Sequence, residues 1–294
     1  MQSVRVFWRR FRRNQTAVVG LVFTIFILVV ALLAPTLTPY DYRVQRLDYR
    51  LQAPTREHLM GTDEFGRDLF SRIIQGTRTS MVIGISATVL ITLIGTLIGL
   101  LAGYLGGKVD WLLMRVTDVF MSIPSMFLMI VVVALFGASL RNTILVIAFV
   151  QWTGIARIVR ANALAVKGRE YVEAALALGS SRWRIILRHV LPNVAAPIIV
   201  WCSLFLGRAI LLEAGLSYLG LGAQPPMPSW GNMVADGQRY LRAAWWQSTF
   251  PGVAILLTVL AFNLVGDGIR DALDPKMAGI VGVRKSDKGG GDMD

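Results

Sequence analysis

Four carboxylates lie close in sequence to His58, one of the two histidines of the chain, within the polar stretch 38–79. The residue types and spacing in this stretch could support catalysis or metal binding. The carboxylates are Glu57, Asp63, Glu64 and Asp68, with His58 among them. Their spacing lacks the alternating oxygen ligands of an EF-hand loop, and no nucleophile or second histidine lies nearby. We therefore predict a structural role, with Asp63 as the N-cap of a following helix. Asp68 would pair with Arg67 or Arg72 on that helix.

The other groups with catalytic, redox or metal-binding chemistry are few and scattered. Cys202 lies among apolar residues without a second cysteine, which predicts packing. His58 and His189 fall on opposite sides of the predicted membrane, so we expect no zinc or haem site between them. An intramembrane enzyme would have to use Asp118 or Glu213, and no second catalytic group lies at a matching spacing. The phosphate-binding pattern Gly-x-x-x-x-Gly-Lys-Ser/Thr does not occur, so any nucleotide must bind to another chain.

Composition places the chain in a lipid bilayer. Of its 294 residues 54% are hydrophobic and only 16% are charged, and the mean hydropathy is +0.57. The net charge of +12 comes mainly from the N-terminal arm, the segment 157–188 and the C-terminal tail. Because these basic regions alternate with apolar ones, they fit the positive-inside rule better than a nucleic-acid-binding surface.

The pattern predicts an all-α, polytopic membrane protein with six transmembrane helices and both termini in the cytoplasm. The predicted spans are about 17–37, 81–104, 116–136, 144–158, 192–218 and 250–265. We expect a cytoplasmic amphipathic arm (1–16) against anionic lipid, an external loop (38–79), a permease core (80–271) and a partly disordered cytoplasmic tail (272–294). The first span should be retained, since residues 31–35 offer no small-x-small cleavage site.

Several unusual residues lie inside these spans. Four of them are polar or amphipathic at depths where lipid disfavours such side chains: Gln151, Trp152, Arg208 and Glu213. We expect these residues to face a translocation pathway or a partner subunit. Pro124 should bend the third span. The bend could serve a gate or fit the helix to its neighbours, and we favour packing.

The polar segment between the fourth and fifth predicted spans has the pattern of two short helices. Alanines and leucines at 174–178 favour a helix that stops at Gly179. Ser180 or Ser181 can cap a second helix, which Pro192 should close. A helix, a glycine bend and a second helix form a small projection, and we expect a partner to hold it.

This segment resembles the EAA loop of ABC-importer permeases. The resemblance rests on Glu173-Ala174-Ala175, on Gly179 and on Val190-Leu191-Pro192. It implies a coupling loop at about 161–191 that sits in a groove of a cytoplasmic ATPase. The implied docking residues are Glu173, Ala174, Ala175, Gly179 and Arg182.

A second set of motifs is similar to the C-type subunit of the dipeptide, oligopeptide and nickel permeases. The motifs are Gly61-Thr62-Asp63, Gly66-Arg67-Asp68, Ser71-Arg72 and Gly76-Thr77-Arg78. We expect this segment to be an external structural element, with direct contact to substrate as the alternative. The loop 220–231 and the ending 266–275 look like the same family.

The resemblance implies a type I ABC importer permease fold in the bacterial inner membrane, without a catalytic site or cofactor of its own. It further implies a second permease subunit, two ATPases that bind ATP and Mg²⁺, and a periplasmic or lipid-anchored solute-binding protein. The expected solute is a di- or oligopeptide. Three alternatives remain: a nickel or other small-solute importer of the same fold, the intramembrane enzyme considered above, and a channel subunit that conducts without ATP.

Overall fold

A computed structural model describes residues 2–273, and in that range the chain is mostly helical without β-strands. The helices are α1 (Gln2–Phe11), α2 (Gln15–Leu37), α3 (Leu69–Leu105), α4 (Gly107–Ser122), α5 (Ser125–Phe136), α6 (Leu140–Lys167), α7 (Glu170–Ala177), α8 (Arg182–Ile185), α9 (Leu191–Tyr218), α10 (Trp230–Gln238) and α11 (Trp246–Leu273). A 3₁₀ turn covers Leu47–Tyr49, and a π-turn (Ile186–Val190) joins α8 to α9. The predicted cytoplasmic tail (272–294) lies almost wholly outside the described residues.

Five helices in the described part of the chain are long and apolar enough to cross a membrane. They are α2, α3, α6, α11 and the continuous helix that runs from α8 through α9. A sixth span results if α4 and α5 are counted together. The all-α, polytopic architecture predicted from the apolar pattern is therefore confirmed.

The third predicted span is not one gently bent helix. Its two halves, α4 and α5, meet at an angle of 89°. Ile123 between them has extended backbone angles, φ −98° and ψ 130°, as expected for a residue that precedes proline. Pro124 therefore separates two helices here, and the expectation of a single bent helix was wrong.

Helices α3 and α6 form the centre of the bundle because glycines allow their backbones to touch. A Cβ atom added to Gly95 would lie 2.6 Å from the Trp152 carbonyl oxygen, and one added to Gly99 would lie 2.5 Å from the Ala156 carbonyl oxygen. Any larger side chain would separate the two helices. The small-xxx-small pair thus lies at the closest helix contact, as its spacing predicts.

The remaining helices surround this pair. Helix α9 packs on α3, α6 and α11, while α2 lies against α11 and α3. The amphipathic helix α1 packs on the end of α11, where Phe11 is buried beside Ala17 and Ala272. Connectivity places residues 38–68 and α10 at one end of the bundle and the segment 168–190 at the other. We call the first the α10 end and the second the elbow segment.

Helix α3 begins at Leu69, within the stretch predicted as an external loop. Its N-cap is Asp68, whose carboxylate accepts a hydrogen bond from the Ser71 backbone N–H at 2.8 Å. The prediction of Asp63 as the cap was wrong. Asp63 instead holds the preceding loop together by accepting hydrogen bonds from the backbone N–H and the guanidinium of Arg67.

Candidate functional site

The first half of the elbow segment is a short helix with a defined stop. Gly179 has a φ of +81°, a left-handed conformation that glycine adopts without steric cost. Its N–H donates to the Leu176 carbonyl at 3.0 Å, and the Ser180 N–H donates to the Ala175 carbonyl at 3.1 Å. Together these bonds form a Schellman motif that satisfies the last carbonyls of α7. The predicted stop at Gly179 is confirmed.

The second half of the elbow segment does not end where we predicted. Ser181 caps α8 by accepting a hydrogen bond from the Arg184 N–H, but the helix then continues through the π-turn into α9. The Leu191 N–H bonds back to the Ile186 carbonyl, five residues earlier. This wider turn accommodates the Pro192 ring, which would collide with the carbonyl four residues before it in a regular α-helix. Residues 182–218 therefore form one continuous helix, and Pro192 does not close the unit.

The outer surface of the elbow segment is apolar and basic. Leu178 is 87% exposed and Trp183 is 60% exposed, with Leu176 and Leu187 also open. Arg182, Arg184 and Arg188 lie among them and are exposed. Exposed apolar groups that are contiguous and rimmed by charge mark a surface that contacts another protein or the membrane.

The inner surface of the same segment fixes it to the bundle. Val172, Ile185, Ile186 and Val190 are all buried in the main hydrophobic core. Trp183 and Leu187 lie on the same helical stretch but are exposed. A displacement of the elbow segment must therefore displace the helices behind it.

The residues implied as docking groups lie on or near this outer surface. Glu173, Ala174, Gly179 and Arg182 are exposed, and Ala175 is partly exposed. A Cβ atom added to Gly179 would meet nothing within 4 Å. The structure therefore brings together all five residues at one projection.

The four candidate pathway residues do not share one environment. Trp152 is buried against Phe120, with ring centroids 5.6 Å apart. Gln151 is also buried, and its Nε2 has no hydrogen-bond acceptor among the described residues. Arg208 is exposed on α9, and no hydrogen bond or ion pair connects it to the described part of the chain.

Glu213 was predicted to face a pathway or a partner subunit, and the structure corrects this. Its carboxylate is fully buried inside this chain. The Ser80 hydroxyl donates to one carboxylate oxygen at 2.9 Å, and the Ser217 hydroxyl donates to the other at 2.7 Å. Glu213 therefore joins α9 to α3 and reaches no open surface.

Two ion pairs between α4 and α6 were missed by the sequence reasoning. Asp110 receives two hydrogen bonds from Arg160, at 2.5 and 2.6 Å. Asp118, considered above for an intramembrane enzyme, pairs with Arg157 at 2.5 Å. The sequence did contain a signal for these pairs. The acidic residues lie near the start of the third predicted span and the basic ones near the end of the fourth, and the predicted topology places both on the same side of the membrane.

The acidic cluster around His58 forms a buried ionic network at the α10 end. Asp63 lies 2.6 Å from Arg67 and 3.3 Å from Arg72. His58 Nδ1 lies 2.8 Å from an oxygen of Asp68, the cap of α3, so the predicted pairing of Asp68 with Arg67 or Arg72 was wrong. Burial, followed by the nearby Asp63 charge, raises the pKa of Glu64 above its ordinary value. The network fixes the loop 38–68 to the start of α3, which agrees with the predicted structural role.

Comparison with known proteins decides the family. Residues 95–279 match the family described as "Binding-protein-dependent transport system inner membrane component", and residues 4–54 match "N-terminal TM domain of oligopeptide transport permease C". The chain belongs to the family of binding-protein-dependent transport permeases. It is therefore a multi-pass inner-membrane subunit of an ABC transporter, and its role in that transporter is non-catalytic.

The permease has curated relatives along nearly its whole length. It is 45% identical over 283 residues to the dipeptide transport system permease protein DppC of Escherichia coli, covering 94% of each chain. It is 44% identical over 271 residues to DppC of Alkalihalophilus pseudofirmus, covering 92% of this chain and 89% of that one. The glutathione transport system permease protein GsiD of Pectobacterium atrosepticum is 44% identical over 275 residues, which cover 93% of this chain and 91% of that one.

Among solved structures, an inward-facing form of the MetNI methionine ABC transporter shares the fold. The TM-score is 0.54 at 16% sequence identity, and the match covers 70% of this chain and 98% of the other. At this identity the match concerns the fold alone. It confirms the ABC importer permease architecture implied by the EAA-like segment.

Proposed function

We propose that this permease is half of the translocation pathway of an ATP-driven importer of di- or oligopeptides. The relatives named as dipeptide and glutathione permeases support peptide as the solute. A second permease subunit would supply the other half of the pathway. Two ATPases would bind ATP and Mg²⁺ on the cytoplasmic side, and a periplasmic or lipid-anchored solute-binding protein would deliver peptide on the outer side.

Charge supports the proposed orientation. The exposed arginines of α1 and those of the elbow segment lie at the same end of the bundle. An excess of basic residues in short loops marks the cytoplasmic side of a membrane protein. Helix α1 would then lie against anionic lipid headgroups, with exposed Trp8 and Val6 at the interface. The predicted external segment 38–68 falls at the opposite end.

The elbow segment is the observation on which the coupling role rests. Its outer surface is apolar and basic and has no partner within the described chain, whereas its inner surface is buried in the bundle core. An ATPase that holds the outer surface and closes on ATP would move α7 and α8 together. Because α8 continues into α9 without a break, the movement reaches the fifth span as rigid-body motion.

Within the membrane, Arg208 is the strongest remaining candidate for the pathway. It is exposed on α9 and lacks an ion-pair partner in residues 2–273. An intramembrane charge of this kind faces protein or water, because exposure to hydrocarbon is costly. Gln151 and Trp152 would contribute only if α4, which covers Trp152 through Phe120, moves away from α6.

Substitution of Gly179 tests the coupling role. A Cβ atom added at this position meets nothing within 4 Å, but a left-handed conformation costs a residue with a side chain about 1–2 kcal/mol. The Schellman turn should therefore open while the membrane helices stay intact. In proteoliposomes that contain the complete importer, we expect Gly179→Val to insert normally and to lose ATP-driven peptide uptake.

The matched control is Gly179→Asn, because asparagine tolerates the left-handed conformation. This variant should retain most of the uptake. Full ATP-driven uptake by the valine variant would contradict the coupling role. Equal loss in both variants would show that the site needs glycine for a reason other than backbone conformation.

A further inference from the structure

A polar recess opens at the α10 end of the bundle, opposite the elbow segment. It has a volume of about 340 Å³ and lies between the loop 38–68 and helix α10. Its lining includes Arg50, Glu64, Phe65, Asp236, Arg239 and Tyr240. Two of these side chains are guanidiniums and two are carboxylates, so the recess presents both signs of charge.

Most of these charges have no close partner in the described chain. Asp236 and Arg239 are exposed, and neither forms a hydrogen bond or an ion pair with residues 2–273. Arg50 reaches only the Tyr240 hydroxyl, at 3.5 Å. Asp236 lies in the electrostatic field of Arg72, Arg67 and Arg239, but no hydrogen bond from the described residues holds its carboxylate, so the outer charges of the recess remain accessible to a ligand.

The base of the recess is held rigidly. Glu64 is nearly buried, lies 3.4 Å from Arg67, and accepts a hydrogen bond from the Gln247 amide. Behind it lies Arg72, which is 5% exposed and whose NH1 nitrogen has no acceptor among the described residues. The ionic network around Asp63 therefore positions the inner carboxylate of the recess, while the outer charges remain accessible.

The pairing of charges indicates the class of ligand. A simple anion would meet Glu64 and Asp236, and a simple cation would meet Arg50 and Arg239, so each would be repelled in part. A ligand with a carboxylate at one end and an ammonium at the other can satisfy both pairs. Phe65 and Tyr240 add apolar contact between the charges.

We propose that this recess binds the free termini of a short peptide, with Arg50 and Arg239 on the carboxylate and Asp236 and Glu64 on the ammonium. This inference rests on the proposed function, because it assigns the recess to the solute of the importer at the face where that solute would enter. The recess would then hold peptide outside the membrane pathway.

The test measures weak peptide binding to the full chain in lipid nanodiscs by saturation-transfer NMR. The probes are alanyl-alanine, its N-acetylated form and its C-terminal amide. An ion pair at a partly exposed site contributes up to about 1 kcal/mol, which corresponds to about fivefold in affinity. We expect each blocked peptide to bind about fivefold more weakly than alanyl-alanine.

Two variants assign the ends of the peptide. With Arg239→Gln the difference between the amide and the free peptide should shrink, because only Arg50 is left for the carboxylate. With Asp236→Asn the difference between the N-acetylated and free peptides should shrink, because only Glu64 is left for the ammonium. Both side chains are exposed, and because Asp236 also interacts with buried Arg72, the fold of each variant is checked by circular dichroism before binding is measured. Arg43→Gln is the matched control, because Arg43 is an exposed arginine that contacts Tyr42 and does not line the recess.

Three results would overturn the proposal: no saturable binding of alanyl-alanine, equal binding of the blocked peptides, or the same effect from Arg43→Gln as from Arg239→Gln. A fourth is that Arg239→Gln weakens capture of the purified solute-binding protein without changing peptide binding, which would make the recess a protein contact. ATP-driven peptide uptake by the unmodified complete importer is measured separately. If uptake is present and peptide binding at the recess is absent, the recess proposal fails while the proposed function stands.

Discussion

The close contact between α3 and α6 leads to a quantitative prediction for Gly99→Ala. The new Cβ atom would lie 2.5 Å from the Ala156 carbonyl oxygen and 2.7 Å from the Val159 Cβ atom. Ordinary contacts are longer by about an ångström, so the helix backbones must separate. Overpacking of this kind costs about 1–3 kcal/mol, and the better helix propensity of alanine returns about 0.5–1 kcal/mol.

We therefore expect Gly99→Ala to lower the free energy of unfolding by about 1–2 kcal/mol. The assay is reversible unfolding of the full chain in mixed detergent micelles, followed by far-ultraviolet circular dichroism. Gly252→Ala is the control, because Gly252 lies inside α11 and its added Cβ meets nothing within 4 Å. This control should be neutral or slightly stabilising. If the two variants are equally stable, the backbone contact does not determine the spacing of α3 and α6.

Two further predictions concern the loop at the α10 end. Asp68→Ala removes both the cap of α3 and the partner of His58, and should cost about 1–3 kcal/mol in the same unfolding assay; Asp68→Asn keeps a capping oxygen and should cost less, so equal losses would exclude capping as the cause. Because the folded-state pKa of Glu64 lies above its ordinary value of 4.5, its protonated form is favoured in the folded chain. The stability that protonated Glu64 contributes is present below pH 4.5, and it is lost as the pH rises through the folded-state pKa of Glu64. Glu64→Gln should remove this decline, so the stability of the variant relative to wild type should rise from pH 4.5 toward neutrality; a pH-independent difference would refute the shift.

Local signals in the sequence were sufficient for much of the fold. The apolar segments predicted the spans because hydrocarbon requires long runs of apolar helix. Gly179 predicted the end of α7, and one of two candidate serines, Ser181, caps α8. Both features depend on backbone preferences of only a few neighbouring residues.

Features that depend on distant partners were not predictable in this way. Glu213 is satisfied by Ser80, which is 133 positions away in the sequence, so its enclosure could not be inferred from α9 alone. Asp63 and Asp68 both precede the helix in sequence. The Asp63 carboxylate is taken up by Arg67 in the folded loop, which leaves Asp68 to cap α3. Pro124 was predicted to bend a single span, and the separation into two helices at 89° did not follow from the proline alone.

The π-turn Ile186–Val190 also controls which way the elbow segment faces. A π-turn contains one residue more than the corresponding α-turn, and one residue corresponds to about 100° around a helix axis. The side chains of α8 are therefore rotated by about that angle relative to those of α9, compared with an uninterrupted α-helix. With this offset, Ile185 of α8 and Glu213 of α9 are both buried, while Trp183 is exposed. Deleting a single residue from the turn would rotate Trp183 around the helix axis, and a different set of side chains would form the outer surface of the elbow segment.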